Sequence, residues 1–306
     1  MCARYFCIVP RRYHVLVNAA AGSVGEVTDR NREIVEAFAR YDVDADVEPV
    51  EPDQLGSAMQ RAWRRTVDAV VVAGGDGTVS SAAGTAVEHH IVLGVLPLGT
   101  FNHFAKDLGV PDGLDEAVAF LAGAVPTAVD VGEVNGRVFV NNASIGVYPT
   151  MVTVREDIRE RRGWGKIRAA PLAIVRTLRR LPVHHLTLQI DHAAPMVRQT
   201  PFLFIGNGLF DVAGGQLGER TSMSEGVLGV YVIATTSRLA LVRNAIRSRF
   251  GGVRAAEDTE RHRATELLVR SADRTVPIAL DGEPMDLGAA LHFRSLPGAL
   301  LVLGAG

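Results

Sequence analysis

Over residues 13–125, short apolar runs alternate with segments of helical period. Residues 13–18 (Tyr-His-Val-Leu-Val-Asn) predict a short buried strand that ends in a run of small residues from Ala19 to Gly25. Residues 28–41 place Ile34, Val35, Phe38 and Tyr41 on one side of a helix. Residues 43–50 alternate as a strand, and residues 52–66 predict a helix starting near Asp53. A strand over 67–73 leads through glycines into a small-residue helix over 79–87, and a strand over 91–96 ends in Pro97-Leu98-Gly99-Thr100. Strands alternating with helices predict an open, mostly parallel α/β sheet. After about Val134 the pattern changes. Residues 137–142, 184–190, 201–205, 229–234, 265–269, 276–280 and 300–303 all read as strands, with few helices between them. Many short strands with turn signals predict a β-rich, sandwich-like second domain. The expected division is an α/β domain over 1–133 and a β-rich domain over 134–294, with final strands near 295–306.

Composition narrows this picture. The chain has 306 residues, 47% hydrophobic and 22% charged, in the ordinary range for a globular protein with a sizeable core. A net charge of −2 gives no global signal for nucleic acid. No apolar stretch approaches the roughly 18 residues that span a bilayer. Arg11, Arg12 and His14 interrupt any secretory-signal pattern. The two cysteines, Cys2 and Cys7, predict neither a metal site nor a structural disulfide and suit a reducing cytoplasm. His89-His90 and His184-His185 lack ligand partners at zinc spacing.

The chemistry concentrates where strands end. Residues 74–78 read Gly-Gly-Asp-Gly-Thr between a strand and a helix. Glycines let backbone N–H groups approach an anion, and the helix start adds unpaired N–H groups suited to phosphate. Asp76 repels phosphate, so its natural task is to hold Mg²⁺ or touch a hydroxyl. The bland alternative is a tight strand-to-helix turn. Asn18, Gly74 to Thr78 and Gly99 to Asn102 all follow strands of the parallel sheet, where such folds bind ligands.

Three motifs carry a family resemblance: Gly74-Gly75-Asp76-Gly77-Thr78, then Leu98-Gly99-Thr100-Phe101-Asn102-His103-Phe104-Ala105-Lys106-Asp107-Leu108-Gly109, then Leu280-Asp281-Gly282-Glu283. Weaker matches are Val129-Asp130-Val131-Gly132, residues 142–146 and Gly226-Val227-Leu228. Over nearly its whole length the chain resembles the diacylglycerol kinase catalytic-domain family, soluble lipid kinases that include sphingoid-base kinases. The resemblance implies transfer of the γ-phosphoryl of ATP to a lipid hydroxyl, with ATP and lipid meeting between two domains and the last strands returning to the first.

On that reading, backbone N–H groups of Gly75, Asp76, Gly77 and Thr78 cradle phosphates behind Gly74. Asn18, Ala19, Ala20, Ala21 and Gly22, with Gly99, Thr100 and Asn102, line the nucleotide. Asp76 and Asp130 are the expected Mg²⁺ network, partly through water. Asp281 or Glu283 is the expected general base, with Asp76 a rival; alone, Asp281-Gly282 is more often a hairpin turn, and its order after the other two motifs reverses that. The resemblance also implies a structural Mg²⁺ at Ser222, Glu225 and Val227, where Glu225 replaces the family's Asp. Other departures are Ser80-Ser81, His103 and Lys106, and Asn18-Ala19-Ala20-Ala21-Gly22 for the family's N-P-x-S-G.

Residues 155–180 carry nine arginines and lysines, including Arg161, Arg162, Arg179 and Arg180, interleaved with Trp164, Ile167 and Leu172. Arg238, Arg243, Arg247 and Arg249 extend the charge. A basic amphipathic helix of this kind suits an anionic membrane surface, and an ordinary solvated helix is the alternative. The expectation is a cytoplasmic enzyme, peripherally membrane-associated during turnover, acting on a membrane-presented lipid; a homodimer is left open. Competing readings are an NAD kinase-like phosphotransferase, which shares the Gly-Gly-Asp-Gly-Thr motif, and a degenerate nucleotide- or lipid-binding protein.

Overall fold

The computed structural model describes residues 11–19, 24–146, 149–150, 183–210, 220–233, 259–273 and 275–304. The basic stretches at 155–180 and 238–249, Ala20, Ala21 and Gly22, and both cysteines lie outside the described residues. Two compact units emerge: Met1–Val129 with Ala299–Gly306, and Asp130–Gly298.

In the first unit the strands β1 (Arg11–Asn18), β2 (Val43–Val50), β3 (Ala69–Gly74) and β4 (Leu93–Pro97) form a parallel sheet in the order β2-β1-β3-β4. β3 and β4 are buried throughout, as continuous Val/Ala/Leu runs require when a parallel sheet is covered on both faces. The helices are α1 (Val24–Ala39), α2 (Leu55–Trp63), α3 (Asp76–His89), α4 (His103–Asp107) and α5 (Leu114–Gly123). α1 packs against β2 and α5, and α2 against β1, β3 and α3. α2 stops short of the expected Thr66, which takes a left-handed φ of 59° and turns the chain into β3.

The second unit is built from β5 (Val125–Val134), whose first residues belong to the first unit, β6 (Arg137–Phe139), β7 (Asn142–Gly146), β8 (His184–Ile190), β9 (Met196–Thr200), β10 (Phe202–Asn207), β11 (Leu228–Ile233), β12 (Thr259–Ala264), β13 (Glu266–Ser271), β14 (Ile278–Leu280), β15 (Glu283–Met285) and β16 (Ala290–Gly304). One antiparallel sheet runs β12-β11-β10-β7-β14-β15, and in the other β16 pairs β13, β13 pairs β8 and β8 pairs β9. Alternating residues of both sheets meet in one core: Ala143, Ile145, Leu203, Ile205, Val230 and Ile278 from the first, Leu186, Leu188, Leu267, Val269, Leu291 and Phe293 from the second. This is the sandwich that the strand pattern predicts. Phe139 packs edge-on to Phe293 at 6.4 Å. Gly132 makes room for Phe139, because a Cβ there would lie 2.1 Å from its ring. β16 is far longer than the four-residue strand expected at 300–303, and its last residues return to the first unit, where Val302 pairs in parallel with Leu93 of β4.

Candidate functional site: a phosphate turn and a carboxylate-centred hub

In the first unit three strands end at the same edge of the sheet, at Asn18, Gly74 and Pro97. The glycine motif is split between strand and helix: Gly74 closes β3, Gly75 is extended, and Asp76 already begins α3. Asn18 donates from Nδ2 to the Thr78 hydroxyl at 2.9 Å, tying β1 to the first turn of α3. That hydroxyl sits where a Cβ on Gly74 would be, 2.6 Å away, so Gly74 and Thr78 are required together.

The second motif lies against the first. Leu98 N–H donates to the Gly74 carbonyl at 3.0 Å. A Cβ on Gly99 would stand 2.5 Å from the Gly75 Cα, so these two backbones touch. Asn102 holds this approach: its Oδ1 accepts the Gly99 N–H and its Nδ2 donates to the Gly99 carbonyl, both at 3.0 Å. It is buried and left-handed at φ 53°, a conformation asparagine tolerates better than most residues. The amide of Asn102 therefore braces the loop. Thr100 is exposed beside it, and the exposed rings of Phe101 and His103 stack nearly parallel at 5.8 Å. Ala19 is fixed by its N–H to the Val50 carbonyl.

Asp76 sits on the first turn of α3, among N–H groups that the helix cannot satisfy. Its Oδ1 is buried, with no hydrogen-bond partner among the described residues. A buried, unpaired carboxylate oxygen is costly. The helix N-terminus offsets part of that cost, and a cation or an incoming hydroxyl would remove the rest. Asp76 thus fits Mg²⁺ as a ligand.

The remaining candidates lie in the second unit. Asp130 accepts N–H from Gly226 at 2.6 Å and from Gly298 at 2.8 Å, one on each carboxylate oxygen. Both glycines are left-handed, at φ 67° and 60°. Asp130 also donates its own N–H to the Met223 carbonyl. The expected structural metal segment is therefore tied down by Asp130. Within it Ser222 Oγ accepts the Ser224 N–H, Glu225 faces Arg263 at 3.4 Å, and the Val227 carbonyl accepts the Gly208 N–H. Among the described residues no group of three acidic, His or Cys side chains stands close enough to hold a metal. As placed, Asp130, Ser222, Glu225 and Val227 each serve an N–H group or a guanidinium. Asp281 accepts three backbone N–H groups, and Glu283 is exposed.

Sequence reasoning missed Asn207, Arg220 and Asn141, all at the same hub. Asn207 Nδ2 donates to the Asp130 and Val140 carbonyls, and Arg220 donates to the Val140 carbonyl and Asn141 Oδ1 while lying over the Phe210 ring. The only signal was Asn207-Gly208 after a strand. Elsewhere in this unit His184 is buried beside Asp273, at 3.7 Å, and burial lowers its pKa against that partner's opposing pull.

Residues 12–134 match the family described as the diacylglycerol kinase catalytic domain, and residues 144–304 match the YegS C-terminal NAD kinase beta sandwich-like domain. The chain belongs to the diacylglycerol kinase catalytic-domain family. This lipid kinase is 26% identical over 254 residues to the Lipid kinase YegS of Escherichia coli strain K12, covering 79% of this chain and 80% of that protein. The Probable lipid kinase YegS of Shigella boydii serotype 18 matches over the same length at the same identity, again 79% of this chain and 80% of that one. A crystal structure described as a diacylglycerol kinase from Bacillus anthracis str. Sterne shares the fold at TM-score 0.68 and 18% identity, over 96% of this chain and 97% of that one. A further crystal structure from the same organism superposes at TM-score 0.74 with 22% identity, over 96% and 98% of the two chains. A kinase of this family implies ATP as phosphoryl donor. No helix among the described residues is long and apolar enough to cross a membrane.

Proposed function

We propose that this lipid kinase transfers the γ-phosphoryl group of ATP to the hydroxyl of a diacylglycerol- or sphingoid-base-like lipid. The observation that carries the reading is the buried Asp76 Oδ1, without a partner among the described residues, on the helix start behind Gly74 and Gly75. The N–H groups of Gly75, Asp76, Gly77 and Thr78 receive phosphate oxygens, and the contact of Gly99 with Gly75 fixes the second loop beside them. Mg²⁺ held through Asp76 would neutralise the charge of the phosphates. The lipid hydroxyl oxygen attacks the γ-phosphorus, the bond to the β-bridging oxygen breaks, and ADP departs with that electron pair. The hydroxyl proton goes to Glu283, whose exposed carboxylate makes no hydrogen bond or ion pair among the described residues. The basic residues at 155–180 and 238–249 suit anionic lipid headgroups, which would hold the enzyme at its substrate.

The test is transfer of label from γ-labelled ATP to a vesicle-borne panel of diacylglycerol, monoacylglycerol, ceramide, sphingoid base and phosphatidylglycerol, with Mg²⁺ and free NAD alongside. Labelled lipid in the wild type that is lost in Asp76→Ala supports the reading. Label on NAD alone overturns it, as does ATP binding without turnover on any lipid.

A further inference from the structure

Asp281 opens the turn between β14 and β15, in a left-handed conformation with φ 47°. Its carboxylate is turned back onto the chain. Oδ2 accepts the Val140 N–H at 2.9 Å, and Oδ1 accepts the Asn141 N–H at 2.7 Å and the Asn142 N–H at 2.9 Å. Three successive amides converging on one anion form a nest, a strong and directional anchor. The other side of the same segment is also committed. The Val140 carbonyl takes Asn207 and Arg220, the Asn141 carbonyl takes the Asn207 N–H, and the Asn142 carbonyl takes the N–H of Asp281 itself. Every main-chain polar group of residues 140–142 therefore has a partner, and Asp281 supplies four of those bonds.

A general base must offer a lone pair to the hydroxyl it deprotonates. Oδ1 already receives two N–H groups and Oδ2 one, so a proton taken on Oδ2 would discharge the anion that the three amides hold. Glu283, two residues along the same hairpin, carries no such burden. We infer that Asp281 is a positioning residue for phosphoryl transfer: it locks residues 140–142 to the turn that carries Glu283 and does not itself take the hydroxyl proton. The kinetic part of this inference rests on the lipid-kinase reading above; the structural part does not.

The experiment compares wild type, Asp281→Asn, Asp281→Ala and Glu283→Gln by hydrogen exchange at the amides of 140–142, by thermal melting, and by lipid phosphorylation across pH. In Asp281→Asn the oxygen retained keeps the Asn141 and Asn142 bonds and the Val140 bond is lost. Exchange at Val140 should then rise about tenfold or more, the melting temperature should fall, and turnover should drop no more than about tenfold, with the acid limb of the pH profile in place. Glu283→Gln should lose turnover by roughly 10²–10⁴, the range for removing a general base, with amide protection unchanged. The inference is overturned if Asp281→Asn keeps wild-type protection, or if it loses turnover as deeply as Glu283→Gln together with the acid limb. Should Asp281→Ala fail to fold, the two isosteric variants still decide. If the wild type labels no lipid, the functional reading falls, and exchange at Val140 alone decides whether Asp281 holds the segment.

Discussion

Asp76 combines two properties that a structural carboxylate rarely has: an oxygen buried without a partner and a place among unsatisfied helix N–H groups. An acidic residue that merely stabilised the helix start would contribute about 0.3–1 kcal/mol and would lie in solvent. Asp76→Ala should therefore leave the melting temperature nearly unchanged while lowering phosphoryl transfer by at least about 10²-fold, as expected for an electrostatic contact made in the transition state. A fall in melting temperature that parallels the loss of turnover would sink this assignment. His184 makes the opposite kind of prediction, one about stability alone. Burial lowers its pKa below the ordinary histidine value of about 6.5, with Asp273 opposing. The unfolded chain then binds a proton that the folded chain resists, so stability is full above about pH 6.5 and falls as the pH drops below it. His184 continues the inward row of Leu186, Leu188 and Ile190, so His184→Leu should flatten the acid side of a melting-temperature profile. An unchanged slope would assign the acid sensitivity to other groups. At this scale the sequence showed which residue types matter, but it did not show their commitments. Asp281 and Glu283 look equivalent in Leu-Asp-Gly-Glu; only the contacts of Asp281 with residues 140–142, far away along the chain, separate them.

At the scale of elements, the phosphate turn works because two loops approach without side chains between them. Gly99→Ala sets a Cβ 2.5 Å from the Gly75 Cα, which is backbone and cannot swing aside, and 2.7 Å from Asn102 Oδ1, the brace itself. The cost should be about 1–3 kcal/mol, as for other overpacked sites, with weaker ATP binding in calorimetric titration because the second loop is pushed off the first. Gly84 is the control within α3. A Cβ there meets nothing within 4 Å, so Gly84→Ala should stabilise by about 0.5–1 kcal/mol through the lower entropy cost of fixing the helix, with turnover unchanged. Denaturant melts of the two variants should therefore move in opposite directions. The alternation of strands and helices in the first unit was legible because a covered parallel sheet needs unbroken apolar strands, and both glycine motifs were legible because few residues other than glycine fit such turns. The brace formed by Asn102 was not, since a polar residue in a nucleotide-like motif invites a ligand, and only the geometry shows that its amide is spent on Gly99.

For the molecule as a whole, the chain path matters more than the number of elements. The first unit is not finished when the chain first leaves it at Val129, because residues Ala299–Gly306 complete it. The family resemblance implied this return, but the hydrophobic pattern alone did not show it. Pro297 and the left-handed Gly298 lie inside a single 15-residue strand, and the Gly298 N–H is held by Asp130. From periodicity alone, this segment shows only the apolar run at 300–303 as a strand. Leu300 and Val302 are fully buried and Leu303 nearly so, and Val302 lies beside Leu93 of β4. At about 1.5–3 kcal/mol for each buried side chain, the three contribute roughly 5–9 kcal/mol before any backbone bonds are counted. That is comparable with the whole stability of an ordinary domain, about 5–15 kcal/mol. A chain ending at Gly298 should therefore lose the first unit, with amides of β1, β3 and β4 exchanging freely and ATP binding abolished. Leu300→Ala in the full-length chain should lower stability by about 2–5 kcal/mol, the usual cost of emptying a buried leucine site, without changing the pH profile of turnover. Protected amides in β3 and β4 of the shortened chain would show instead that the sheet from β2 to β4 is stable by itself, and that the returning strand only covers its edge.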